Sequence, residues 1–194
     1  MNIICSMTIR EMEIAKEHFE KAGFNTVLVN FGKLYFSERP YTEEEKKWAD
    51  DNLRIGYEGL CKVKGQEPMK VEVNKYFKED CDKYLSEVLN DDANKDAIIF
   101  VNYNAHALKY FDDNKIWYTL IYPDNKLKAE YIGREFIHAY ENKSGYTKVE
   151  LITSKWDDII NHFERKDSTT CNKVILGQND TLVGAITNLI KETR

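Results

Sequence analysis

The first thirty residues constrain the fold more than any other stretch. Asn2-Ile3-Ile4-Cys5-Ser6 is a short apolar run. Residues 7–22 then carry Met12, Ala15, Phe19 and Ala22 at helical spacing, and Gly23 stops that helix before a second β-rich run, Phe24 to Asn30. Strand, helix and strand in such quick succession make a βαβ unit, whose two strands lie parallel because the crossover helix returns the chain to its starting edge. Parallel strands are buried on both faces, so the rest of the chain has to supply further strands and two layers of helix.

Those elements are visible downstream. Ala97-Ile98-Ile99-Phe100-Val101-Asn102 is an uninterrupted apolar run bounded by polar residues, the pattern of a central strand. Residues 116–122 repeat it up to Pro123-Asp124, and Asn172 to Leu176 makes the last strand. Between these runs, Thr42-Glu43-Glu44-Glu45 has the form of a capping box opening a helix to about Leu60, and residues 69–89 carry Val73, Tyr76, Phe77, Tyr84, Leu85 and Val88 at helical spacing. Residues 31–41 read as an aromatic and basic loop, and residues 62–68 as a hinge-like link. Residues 105–111 and 127–141 read as helices. Thr147-Lys148-Val149-Glu150 predicts a second capping box before a helix with Ile152, Trp156, Ile159, Ile160 and Phe163, and Leu182 to Ile190 closes the chain. The stripes holding Trp48, Tyr76 and Trp156 are expected to be core. The predicted architecture is a single α/β domain, a three-layer αβα sandwich around a five-stranded, mostly parallel sheet. It carries a helical insert at about 42–90 and lid-like helices at about 125–165.

Composition narrows the function classes. With 194 residues and 42% hydrophobic content, the chain can bury a full core. A net charge of −5 argues against sequence-independent nucleic-acid binding, which depends on clustered Lys and Arg. No apolar run approaches the roughly 18 residues of a membrane span, and no leader is visible, so a cytoplasmic location is expected. Cys5, Cys61, Cys81 and Cys171 lack CxxC spacing, and His18, His106, His138 and His162 lack paired metal spacing. Free thiols and no metal site are expected.

In a parallel sheet, ligands sit where the first strand's carboxyl end meets the first helix's N-terminus, because free N–H groups and the helix dipole attract an anion there. This places the candidate site around Ser6 to Arg10. The turn reads Ser6-Met7-Thr8-Ile9-Arg10 and contains no glycine and no lysine, whereas a Walker A loop needs both. Ser6 and Thr8 can offer hydroxyls, with Thr8 equally suited to an N-cap. Arg10 opposes the helix dipole, which a neighbouring anion would rationalise.

Two helices precede the third strand and two precede the fifth, a layout matching the nucleoside and nucleotide kinase branch of the P-loop fold. The second half carries a more specific likeness. The runs Asp96 to Asn104, Tyr122-Pro123-Asp124 with Leu127-Lys128-Ala129-Glu130-Tyr131-Ile132-Gly133-Arg134, Trp156-Asp157-Asp158-Ile159-Ile160 and Val174-Ile175-Leu176-Gly177 resemble small P-loop kinase-like proteins of bacteriophages. The resemblance covers about residues 96–186, with a degenerate Walker A loop. It implies a phage-encoded protein in the host cytoplasm whose lid arginine corresponds to Arg134.

The remaining candidate ligand-binding residues are Lys33, after the second strand; Asn102 and His106, at the third strand's carboxyl end; and Lys128. His106 is a candidate general base. No catalytic residue is assigned. The expected function is binding of a nucleotide or other phosphate-bearing small molecule without ordinary ATPase activity, with a protein partner as a further option. An active nucleoside, nucleotide or modified-base kinase with a variant loop and magnesium is the alternative. So is an enzyme like the nucleoside 2-deoxyribosyltransferases, which the opening Ile3-Ile4-Cys5-Ser6-Met7 and following helix also resemble, with Glu58 the nearest fit to a glutamate nucleophile.

Overall fold

The computed structural model describes residues 2–141, 143 and 146–192. The chain divides into two compact units, Met1–Asn30 with Asp82–Arg194, and Phe31–Cys81.

The larger unit holds the parallel sheet. Its strands are β1 (Asn2–Ser6), β2 (Thr26–Val29), β5 (Ile98–Asn102), β6 (Tyr118–Pro123) and β7 (Cys171–Leu176), in the spatial order β2-β5-β1-β6-β7. This differs from the dinucleotide-binding and flavodoxin-like orders. Helix α1 (Ile9–Lys21) follows β1 and leads toward the β2 edge, while α6 (Lys128–Glu141) and α7 (Tyr146–Arg165) lead from β6 to β7 at the other edge. Connections leaving neighbouring strands β1 and β6 in opposite directions open a crevice at their carboxyl ends. The five-stranded α/β architecture expected from the sequence is present.

Alternation along the strands assigns the two helical layers. Ile4, Ile98, Phe100 and Ile121 pack with Met12, Ala15 and Phe19 of α1 and with Leu182 and Ile186 of α8 (Leu182–Glu192). Residues of the opposite parity face α5 (Ala105–Asp113) and α7: the Tyr118 ring lies 5.3 Å from Phe111, and Tyr122 lies 5.2 Å from Phe163. Gly23 ends α1 at φ +87°, a conformation that L side chains adopt only with strain.

The smaller unit corrects three readings. Phe31–Leu34 is a 3₁₀ turn and Phe36–Pro40 is strand β3, where a loop was expected. The helix opened by Thr42, α2 (Glu43–Asn52), ends at Asn52, and a separate α3 (Gly56–Lys64) follows; Gly56 at φ +61° allows the break. Its capping box is real: Thr42 Oγ1 accepts from Glu45 N at 3.3 Å, and Glu45 Oε2 accepts from Thr42 N at 3.0 Å. Met69–Val73 is strand β4, antiparallel to β3, and helix α4 (Phe77–Asn90) begins only at Phe77. The alternation of Met69, Val71 and Val73 is a strand signal that the helical spacing of residues 73–88 obscured. Trp48 and Tyr76, expected in the core, are exposed, whereas Trp156 is fully buried.

The ribbon is held on one face by charge. Arg39 Nη1 and Nη2 donate to the two Glu45 oxygens at 2.7 and 2.8 Å, and its Nε and Nη2 donate to Glu72 at 2.9 and 2.8 Å. Two bidentate partners fix the guanidinium in its plane. Helix α7 begins at Tyr146, so Thr147 stands inside the first turn rather than at the cap.

Candidate functional site

β1 ends at Ser6 and α1 starts at Ile9, which leaves Met7 and Thr8 as the whole connection. A phosphate-wrapping loop, whose Walker A pattern alone spans about eight positions, has no room here. Ser6 pairs in register with Asn102 of β5, and Tyr103 N donates to Ser6 O at 2.8 Å, so the carboxyl edge is closed by backbone between these strands. Ser6 and Thr8 are buried. Ser6 Oγ has no hydrogen-bond partner among the described residues, and Thr8 Oγ1 makes no capping bond and sits beside the Tyr131 hydroxyl.

The first turn of α1 and the middle of α6 together form a small pocket of about 120 Å³, lined by Arg10, Glu11, Ile14, Tyr131, Arg134 and Glu135. Arg10 and Arg134, far apart in sequence, thus line the same pocket. Arg10 Nη1 stands 3.8 Å from a carboxylate oxygen of buried Glu135, and Arg134 Nη2 stands 4.0 Å from Glu130. Both separations exceed hydrogen-bonding distance. The Arg134 guanidinium also lies 5.0 Å from the centre of the Tyr131 ring, a cation–π placement.

In the same pocket, the Tyr131 hydroxyl donates to Glu11 Oε2. Burial raises the Glu11 pKa above 4.5 and the nearby Glu135 charge adds to it, against the opposing pull of Tyr131, Arg134 and Arg10. Burial, and then the Glu11 charge, push the Tyr131 phenol well above its ordinary value, so it stays a donor. Two arginines face two glutamates, and one of those carboxyls is already biased toward its neutral form.

No protein-family model matches the chain, and no curated protein matches it.

Of the sequence candidates, the structure brings Arg10 and Arg134 into one pocket, with Thr8 next to its Tyr131. Asn102 ends β5 at the same sheet edge but is not among the residues lining that pocket. His106 is half-buried and its Nε2 lies 2.8 Å from Asp82 Oδ1. Lys128 pairs with Asp157 at 2.8 Å, joining α6 to α7. Lys33 belongs to the smaller unit and is exposed. Glu58 is exposed, pairs with Lys62 at 2.9 Å and also lies in the smaller unit.

Sequence reasoning missed Glu11, Tyr131 and Glu135. Tyr131, Glu135 and Ala139 follow one another at four-residue spacing and are all buried. A glutamate on an otherwise apolar stripe was the available signal, because such a charge needs partners.

A second hollow of about 470 Å³ lies at the carboxyl ends of β6 and β7, lined by Asp124, Lys126, Leu127, Glu130 and Gly177 among others. Glu130 lines it and stands 4.0 Å from Arg134, which lines the smaller pocket. Among the described residues, no group of three or more His, Cys, Asp or Glu side chains is arranged to hold a metal ion. No helix among them is long and apolar enough to cross a membrane.

Proposed function

We propose that the larger unit binds a nucleotide or another phosphate-bearing small molecule at its carboxyl edge, without the ATP hydrolysis of a standard P-loop enzyme. The observation that carries this reading is the convergence of Arg10 and Arg134 on one pocket at the N-terminus of the helix that follows β1. Their carboxylate partners, at 3.8 and 4.0 Å, leave both guanidiniums able to turn toward an oxyanion and bind it in bidentate fashion. The pocket has room for one phosphoryl group rather than a triphosphate chain, and the neighbouring hollow can take the rest of such a ligand. The likeness to phage P-loop kinase-like proteins supports the same reading, since Arg134 matches the lid arginine of that family. The two-residue connection after β1 argues against phosphoryl transfer, which needs a backbone cradle and a lysine on the transferring group. Magnesium enters this account only if a triphosphate is turned over.

Glu11 favours a second reading. It is a half-buried glutamate on the helix directly after a strand, oriented by a tyrosine, and it suits the nucleoside 2-deoxyribosyltransferase-like alternative better than Glu58 does.

A thermal-shift panel of nucleosides, nucleotides, cyclic nucleotides, NAD and phosphosugars tests both. A ligand at a hundredfold excess over Kd adds about 2.7 kcal/mol, a shift of several degrees for a domain of this size. Stabilisation by phosphorylated compounds, lost in Arg134→Ala, supports the first reading. Stabilisation by free nucleosides or bases alone supports the second. A folded protein that responds to nothing in the panel refutes both.

A further inference from the structure

The pocket that holds Arg10 and Arg134 also carries two carboxyl groups, those of Glu11 and Glu135. Arg10 and Arg134 face Glu11 and Glu135 in the pocket, and Glu130 stands 4.0 Å from Arg134, so an incoming doubly charged anion meets no net positive charge. Glu135 is buried and has Arg10 within 3.8 Å. Glu11 is in a different position. Among the described residues its one short polar contact is a neutral phenol, Tyr131, and the two guanidiniums that help to hold it ionised are the same two an oxyanion would recruit. An anion that engages Arg10 and Arg134 therefore withdraws positive charge from Glu11 and places negative charge beside it. Both changes favour the neutral carboxylic acid, which would also turn Glu11 from an acceptor into a hydrogen-bond donor.

We propose that an oxyanion entering this pocket binds together with one proton, taken up by the Glu11 carboxyl. The proposal rests on the reading of the pocket as an anion site and specifies how that site is regulated. The groups facing Glu11 are Arg10 on its own helix, Tyr131, Arg134 and Glu135 on α6, and Thr8 through Tyr131. Among the described residues, none of these forms a short ion pair with Glu11 that would hold its carboxylate charged once the arginines turn away. Binding and protonation are then linked, so each strengthens the other by the same factor. In the proton-uptake range, affinity tightens as pH falls, by at most about tenfold per pH unit for one proton.

Inorganic sulfate is the probe, because it keeps two negative charges throughout the range while phosphate itself titrates. Calorimetric titrations of the full chain from pH 8 to pH 6, in pairs of buffers with different ionisation heats, give the affinity and the number of protons taken up. The expected result is close to one proton per sulfate over part of that range, with tighter binding at the acid end. Glu11→Gln is expected to bind sulfate with little pH dependence and no proton uptake. Glu135→Gln is expected to keep the pH slope, and Tyr131→Phe to move the uptake to higher pH by removing the donor that favours the carboxylate. His138 lies one turn further along α6, so the Glu11→Gln comparison, not the wild-type slope alone, assigns the proton.

Sulfate binding without proton uptake overturns the proposal and leaves the anion site standing. Loss of the slope in Glu135→Gln rather than in Glu11→Gln overturns the assignment to Glu11. Absence of sulfate binding in both wild type and Glu11→Gln overturns the proposal together with the anion-site reading. If Glu11→Gln does not fold, the wild-type proton count and the Tyr131→Phe shift still decide the matter.

Discussion

Removing the Asp112 carboxylate is expected to destabilise the larger unit more than removing any exposed charge. Asp112 stands at the end of α5. Its Oδ1 accepts from Ser168 Oγ at 2.7 Å and from Thr170 Oγ1 and the Tyr118 hydroxyl at 3.2 Å each, while its Oδ2 pairs with Lys166. One carboxylate thus joins the end of α5 and the start of β6 to the segment that leads from α7 into β7. Truncating one member of a buried ion pair costs about 3–5 kcal/mol, because the partner is left desolvated and unpaired. The Asp112 and Lys166 side chains keep 24% and 16% exposure, which places Asp112→Ala at the low end, about 3 kcal/mol. For a chain of this length that lowers Tm by about 6–12 °C. The effect also has a definite pH dependence. Burial opposes ionisation of Asp112, but Lys166 and the Ser168 and Thr170 hydroxyls outweigh it and lower the folded-state pKa below the ordinary 3.8. A depressed carboxyl pKa contributes stability above the unfolded value and loses it as pH falls through the folded one. The difference between wild type and Asp112→Ala in thermal melts should be full at pH 7 and should narrow below about pH 4. A variant melting within 2 °C of wild type at pH 7, or a gap that widens on acidification, would refute the reasoning.

Other outcomes follow from the same structure. Among the four thiols, Cys61 should react first with a disulfide reagent at pH 8 and Cys171 more slowly, because burial raises its pKa; Cys5 and Cys81 should react only on unfolding. Mass-resolved labelling that finds Cys5 modified in the native protein would contradict this. Arg39→Ala should speed amide exchange across residues 36–40 and 69–73 while leaving β1 and β5 protected, since the ribbon loses both of its bidentate ties. Unchanged exchange there would show that the network does not hold the ribbon. Purified protein should hydrolyse ATP and GTP no faster than buffer; magnesium-dependent turnover that disappears in Arg10→Ala would show that the short connection does support phosphoryl transfer.

The parts of the fold that were legible in the sequence are those where burial is complete. Residues 98–101 are buried throughout, so a continuous apolar run marked a central strand directly, and α1 showed its inward stripe because Met12, Ala15 and Phe19 alone are buried on it. The ribbon was not legible because its pattern is reversed. In β4 the alternating apolar residues Met69, Val71 and Val73 are exposed, while Lys70 and Glu72 are half-buried with Arg39 and Glu45. Polar satisfaction rather than hydrophobic burial sets that register, and periodicity does not report it. At the site, Arg10 could be singled out as a cation against the helix dipole, and Arg134 only through the family resemblance. Glu11 and Tyr131 could not, because their significance lies in a contact between residues 120 positions apart.

The central claim is that Arg10 and Arg134 bind one oxyanion together. The measurement that tests it most directly is a calorimetric titration of wild type, Arg10→Ala and Arg134→Ala with the phosphorylated compound that stabilises the protein most. A hydrogen bond to a charged group is worth about 1.5–3 kcal/mol, so each substitution should weaken binding by about tenfold or more. The double variant should weaken it by less than the product of the two, because the arginines share one ligand group. Equal affinity in all three proteins, or a loss confined to one arginine, would contradict the claim.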